Sequence, residues 1–230
     1  MSNSIGCLTP LEPLGNGVSC IMFTKKFFEA HQNPSNQIKE IVKLPCQFMN
    51  QTHGIQIEDV TGRSDGELIE SDGLSTYSNS IGLGVRTADC IPIALSSNDG
   101  SHVALLHAGW KGLGLGIVEN FQSNFLKAGV QYNAWLGPSI AARNYEVDNR
   151  VFDFYCSREP DSESNFAGNG HKGKWQFNLK SEAIRRLTKK NIKVSVSEEC
   201  TVDNEDFFYS HRRNRSNERM VTLIWRSNES

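Results

Sequence analysis

Apolar residues fall along this chain in short alternating or continuous blocks, and the blocks predict most of its elements. Ile55-Gln56-Ile57-Glu58-Asp59-Val60 alternates with period two, as a half-buried strand does. Val18 to Phe23, Gly82 to Val85, Ile91 to Leu95, Val103 to His107, Ala134 to Leu136, Ile192 to Val196 and Met220 to Trp225 have strand length and strand composition. Helical spacing appears at Ile117, Val118, Phe121, Phe125 and Leu126, again at Leu179, Ala183, Ile184 and Leu187, and over Val147 to Tyr155. Asn33-Pro34-Ser35-Asn36, the Gly- and Asp-rich Thr61 to Asp72, and Ser157 to Lys174 with Gly168, Gly170 and Gly173 read as loops. Gly109 to Gly116 reads as a glycine-rich turn between a strand and a helix. Strands and helices mix without a regular βαβ alternation, no linker interrupts them and no repeat recurs. The expectation is one α+β domain over residues 1–230.

With 230 residues, 38% of them hydrophobic, the chain can build a core without disulfides or metal. The formal charge of -2 argues against nucleic-acid binding through bulk electrostatics. No apolar run approaches the roughly 18–20 residues that span a bilayer. Met1-Ser2-Asn3-Ser4 has no basic stretch followed by an apolar one, so no signal peptide is expected. The six cysteines are scattered and contain no CxxC pair, which suggests free thiols and a cytoplasmic setting.

Candidate chemistry concentrates in three segments: Gln51-Thr52-His53-Gly54, Thr87-Ala88-Asp89-Cys90 and His107-Ala108-Gly109-Trp110-Lys111-Gly112. Each histidine or cysteine alone is ordinarily structural. Together, two imidazoles and a thiolate suit zinc, and three protein ligands leave the open position of a catalytic site. The same donors also suit copper. A third reading is metal-free, with Cys90 as nucleophile and His107 as base, as in a hydrolase.

These segments occur in order with Leu136-Gly137-Pro138-Ser139-Ile140, Tyr145-Glu146-Val147, Cys200-Thr201 and Phe207-Phe208-Tyr209-Ser210-His211-Arg212-Arg213. From about Met49 to Trp225 the chain closely resembles the YfiH family, whose members are named polyphenol oxidase (laccase-like) or purine nucleoside phosphorylase. The resemblance implies a single domain of stacked mixed β-sheets with helices packed on the outside, in a bacterial cytosolic protein. It implies His53, Cys90 and His107 as the metal ligands. It also implies phosphorolysis of adenosine, inosine and methylthioadenosine, with deamination of adenosine. The partners expected are therefore purine nucleosides and phosphate, with no membrane and no nucleic acid, while the oligomeric state stays open. An amidase that edits peptidoglycan precursors is a further implied alternative. A full laccase site is disfavoured, because six histidines without a His-x-His pair cannot supply several coppers.

Asp72 stands where the family often has an aspartate, as a general acid/base or as a group that orients a ligand. Asp89 fixes the neighbouring Cys90 or caps a turn. Arg212 and Arg213 suit a bidentate grip on phosphate. Gly109, with the glycines after it, suits backbone approach to an anion. The chain departs from the family at its N-terminus: Phe23-Thr24-Lys25-Lys26-Phe27 replaces a Thr-Arg-x-Gly-Gly-type segment, and the expected consequence is an altered pocket wall. His211 replaces a residue that is often aromatic.

Overall fold

A computed structural model describes residues 6–62 and 68–227. Residues 1–5, and the part of the expected Thr61 to Asp72 loop at 63–67, lie outside the described residues. Two six-stranded sheets are stacked face to face. The first runs Cys7–Leu8, Val18–Phe23, Met220–Arg226, Gly82–Thr87, Cys46–Asn50, Ile69–Glu70. The second runs Lys193–Val196, Tyr132–Leu136, Ile91–Ser97, Val103–Ala108, Gly73–Thr76, Ile57–Asp59. Both are mixed. Cys46–Asn50 lies parallel to Gly82–Thr87, which is antiparallel to Met220–Arg226. A small antiparallel sheet joins Glu146–Asp148, Lys174–Phe177 and Phe166–Gly168.

Period-two alternation sorts the core into layers. Leu83, Val85 and Ile224 of the first sheet meet Leu74, Ala94 and Leu105 of the second in the buried space between them. Ile91, Ile93, Leu95 and Leu106 point to the other side and pack on Leu113, Ile117, Phe121 and Leu187 of the covering helices. On the outer face of the first sheet, Phe23 and Leu223 pack on Phe27 and Val42 of the helices Lys25–Ala30 and Pro34–Val42. The result is the α+β arrangement expected, stacked mixed sheets with helices outside.

Several segments differ from the sequence expectation, among them Thr61 to Asp72, where Ile69–Glu70 forms a short strand, and Val147, which lies in the strand Glu146–Asp148 ahead of the helix Asn149–Cys156. Asn33-Pro34-Ser35-Asn36 starts a helix: Asn33 caps it by accepting from the Asn36 N–H at 3.3 Å, and Pro34 occupies the first position, where its missing N–H costs nothing. The glycine-rich Gly109 to Gly116 contains the helix Trp110–Leu115, whose glycines serve close approach rather than a turn. A Cβ on Gly112 would lie 2.7 Å from the Gly54 carbonyl, and one on Gly114 would lie 2.5 Å from the Phe154 ring. Ser157 to Lys174 carries a 3-10 turn over Pro160–Asn165 and the strand Phe166–Gly168. Cys20, Cys46, Cys90, Cys156 and Cys200 are free thiols, and no helix among the described residues is long and apolar enough to cross a membrane.

One buried histidine gives the fold a pH dependence. His102 is fully buried, with Nε2 2.7 Å from the Ser75 hydroxyl and Nδ1 2.9 Å from the Tyr132 hydroxyl, and Tyr77 stacks on its ring. Burial pushes its pKa down, with Lys127 and Arg226 adding to the effect, to about 4. The unfolded chain therefore binds the proton first as pH falls. Stability from this group is complete above about pH 6.5 and is lost towards pH 4, about 3 kcal/mol in all. Denaturant titrations from pH 7 to 4 should show a steeper decline in the native chain than in His102→Gln.

Candidate metal centre

The two central strands of the second sheet bring Cys90 and His107 together. Ile91 pairs with Ala108 and Pro92 with His107, so Cys90, just before its strand, comes beside the end of the other. The third donor arrives from the first sheet: His53 follows the strand Cys46–Asn50 in a turn with φ +60. The His53 Nε2 lies 4.0 Å from Cys90 Sγ, and the two imidazole rings meet edge-on with centroids 4.7 Å apart. One donor atom from each of His53, Cys90 and His107 lies within 4.8 Å of the others. Among the described residues this is the one such group of three. Its burial is graded: His107 is buried, Cys90 half-buried and His53 exposed. This donor set fits a divalent ion of the zinc or copper kind with room for a further ligand.

Asp72 holds the centre together from behind. It is fully buried and accepts from the N–H groups of Thr52, His53 and Gly54 at 3.0, 2.9 and 2.7 Å, and from the Thr52 hydroxyl at 2.8 Å. Its Oδ1 also lies 2.7 Å from His107 Nδ1, which leaves His107 Nε2 for the metal side. Burial raises the carboxyl pKa, but the hydrogen bonds from His107, Gly54 and Thr52 outweigh it and hold the group ionised far below the usual range. Asp72 is not part of the pocket wall, so its geometry is that of a positioning residue and not of an acid/base facing substrate. Asp72→Asn should lower metal affinity about 10–100-fold, measured by chelator competition, since one carboxylate orients the His107 ring and holds the backbone turn that carries His53.

Without metal, Cys90 and His107 polarise each other. Burial pushes the Cys90 thiol up, but the His107 and His53 imidazoles bring it down to about 6. Burial pushes His107 down, but the Cys90 thiolate and the Asp72 carboxylate bring it up to about 9. Deprotonated sulfur is the form that binds metal.

The remaining expected residues separate into two groups. Asp89, with φ +86, accepts from the Thr201 hydroxyl and the Arg212 N–H, both at 2.6 Å, and so pins the turn that presents Cys90. The Arg212 guanidinium lies over the Tyr145 ring, donates to the Glu146 carbonyl at 3.0 Å and lines the pocket. Arg213 turns away from the pocket and donates to the carbonyls of Thr201, Val202 and Phe208. At Gly109 a Cβ would lie 2.9 Å from Cys90 Sγ and 3.0 Å from the His53 ring, so its bare Cα is what lets the donors close. The short helix that follows it has only six residues.

The centre forms the floor of a pocket of about 550 Å³, within the usual range for small-molecule sites. Met49, Trp110, Ile140 and Tyr145 give its wall apolar surface, and Arg86, Arg212 and Arg219 bring three guanidinium groups to it, with His211 in the same wall. No residue of Phe23-Thr24-Lys25-Lys26-Phe27 lines it. That segment packs instead on the approach to His211, with the Lys26 ammonium over the Phe207 ring and Lys25 donating to the Glu205 carbonyl. Arg86 and Arg219 were not visible as site residues in the sequence. The one available signal was Arg86 as the single charge in an otherwise uncharged strand ending near Cys90.

Residues 29–227 match the family model described as multi-copper polyphenol oxidoreductase laccase. Among curated relatives, the purine nucleoside phosphorylase YfiH of Escherichia coli is 29% identical over 204 residues, 87% of this chain and 78% of that protein. A purine nucleoside phosphorylase of Xylella fastidiosa is 29% identical over 199 residues, 83% of this chain and 76% of its own. Among solved structures, YlmD of Geobacillus stearothermophilus superimposes with a TM-score of 0.87 at 26% identity, covering 99% of this chain and 98% of that one. With the match spanning nearly all of the described fold and its His-Cys-His centre, this chain belongs to the YfiH family, which carries the multi-copper polyphenol oxidoreductase laccase description.

Proposed function

We propose that the chain is a zinc-dependent purine nucleoside phosphorylase of the cytoplasm, acting on adenosine, inosine and methylthioadenosine, and that it also deaminates adenosine. The observation that carries this reading is the convergence of His53, Cys90 and His107 on the floor of a nucleoside-sized pocket. The relatives named purine nucleoside phosphorylase supply the substrate class. Zinc bound there would supply a Lewis acid that polarises an oxygen of the bound reactants.

The chain's own residues do the rest. Trp110, Tyr145 and Ile140 offer a purine ring apolar surface, and the arginines of the same pocket offer an anion its counter-charge. Phosphorolysis forms a bond from a phosphate oxygen to the ribose C1′ and breaks the C1′–N9 bond. The base leaves with that electron pair and takes up a proton. His53, the exposed member of the three donors, would hold the ion from the pocket side, while Asp72 keeps the His107 ring from turning.

The residue set does not fit several coppers. Of the six histidines, His31 is bonded to the Phe27 carbonyl, His102 is enclosed by Ser75 and Tyr132, and His171 sits beside Glu146. That leaves two imidazoles at the centre and His211 in the pocket wall. A thiolate-nucleophile reading has one observation in its favour, the imidazoles packed against the Cys90 sulfur, with His53 Nε2 at 4.0 Å.

The test is product analysis with inosine and with adenosine. Hypoxanthine and ribose 1-phosphate should appear from inosine only when phosphate is supplied, and inosine should appear from adenosine without it. Base release that is independent of phosphate would reject phosphorolysis.

A further inference from the structure

The pocket is cationic in a chain with a formal charge of -2. Arg86, Arg212 and Arg219 line it together with His211, and the one carboxylate in its wall among the described residues is Asp89. Asp89 is already engaged through both oxygens, by Thr201 and by the Arg212 backbone. No ion pair neutralises any of the three guanidinium groups among the described residues. Arg86 is the exposed residue of an otherwise buried strand, and its guanidinium lies 4.5 Å from the Phe48 ring centroid. Arg212 is held by the carbonyls of Asn144 and Glu146, and Arg219 by those of Ser216 and Glu218. Ring and carbonyl contacts orient a guanidinium without cancelling its charge. Three like charges facing one pocket repel each other until an anion enters. Arginine, with its planar fork of donors, is the side chain suited to a tetrahedral oxyanion.

We propose that Arg86, Arg212 and Arg219, with His211, form a phosphate-binding subsite beside the metal ligands, and that Arg213 has no part in it. Two sources carry this chemistry: inorganic phosphate as the second substrate, and the phosphate of a nucleotide. The proposal rests on the phosphorolysis reading only in naming free phosphate as the physiological source.

Calorimetric titration with inorganic phosphate and with inosine 5′-monophosphate tests it in the native protein, Arg86→Gln, Arg219→Gln, the double variant and Arg86→Lys. Each Gln variant should bind phosphate about tenfold more weakly and the double variant about a hundredfold, with Arg86→Lys in between. Arg86 is exposed, so its variants should unfold at the native temperature. In turnover assays the phosphate KM should rise in parallel, with the inosine KM within about twofold. Weakening confined to the monophosphate would assign the subsite to a nucleotide. Unchanged affinity for both ligands in Arg86→Gln and Arg219→Gln would overturn the proposal. The two readings fail separately. Arginine-dependent phosphate binding without base release would reject phosphorolysis and keep the subsite, whereas turnover with an unchanged phosphate KM would do the reverse.

Discussion

His107→Ala is expected to lower nucleoside turnover on the order of a thousandfold or more while the protein still unfolds cooperatively. The two effects have different origins. His107 is one of three donors, and its loss leaves His53 and Cys90, too few to hold the ion in place. The structural cost is smaller. The substitution opens a cavity at a buried position and removes one of the five hydrogen bonds on Asp72, leaving those from Thr52, His53 and Gly54. A loss of about 2–4 kcal/mol follows, within the roughly 5–15 kcal/mol that a domain of this kind has. Circular dichroism with denaturant, run beside the activity assay, separates the two. A variant that loses its cooperative transition would mean that the centre is structural.

The second large effect concerns the Cys90 sulfur. A metal-bound thiolate is held by the cation and screened from electrophiles, whereas a catalytic thiolate must be free to attack. Chelation is therefore expected to stop turnover and to increase alkylation of Cys90 by at least about tenfold, with zinc restoring activity and protection. Cys20 and Cys200 are buried, but Cys7, Cys46 and Cys156 are partly accessible, so labelling must be located by peptide mass. If alkylation alone stopped turnover and chelation left it intact, Cys90 would be the nucleophile of a metal-free enzyme.

Much of the fold was legible wherever one physical signal dominated. Ile91–Ser97 and Val103–Ala108 are buried along their whole length, and their apolar runs say so. Gly73–Thr76 is buried as completely, but Gly73, Ser75 and Thr76 carry no hydrophobic pattern; only the pairing with Val103–Ala108 reveals it. The glycines of Trp110–Leu115 read as breakers because their purpose, close contact with Gly54 and Phe154, is tertiary. For the site, the three donors stood out by residue type and by the resemblance. What the chain order could not show is which groups share a pocket. Arg86 reaches it from the strand Gly82–Thr87, Arg219 from the residue just before the neighbouring strand Met220–Arg226, Arg212 from the short helix His211–Asn214 tied to Asp89, and Arg213, next in sequence, points elsewhere.

The central claim, that turnover depends on one ion held by His53, Cys90 and His107, is tested most directly by titrating metal-stripped protein with zinc. Hypoxanthine release from inosine and phosphate is followed at each addition. The expected result is negligible activity in the stripped protein, a linear rise and a break at one equivalent, with no recovery in Cys90→Ala. Full activity after exhaustive removal of metal would contradict it.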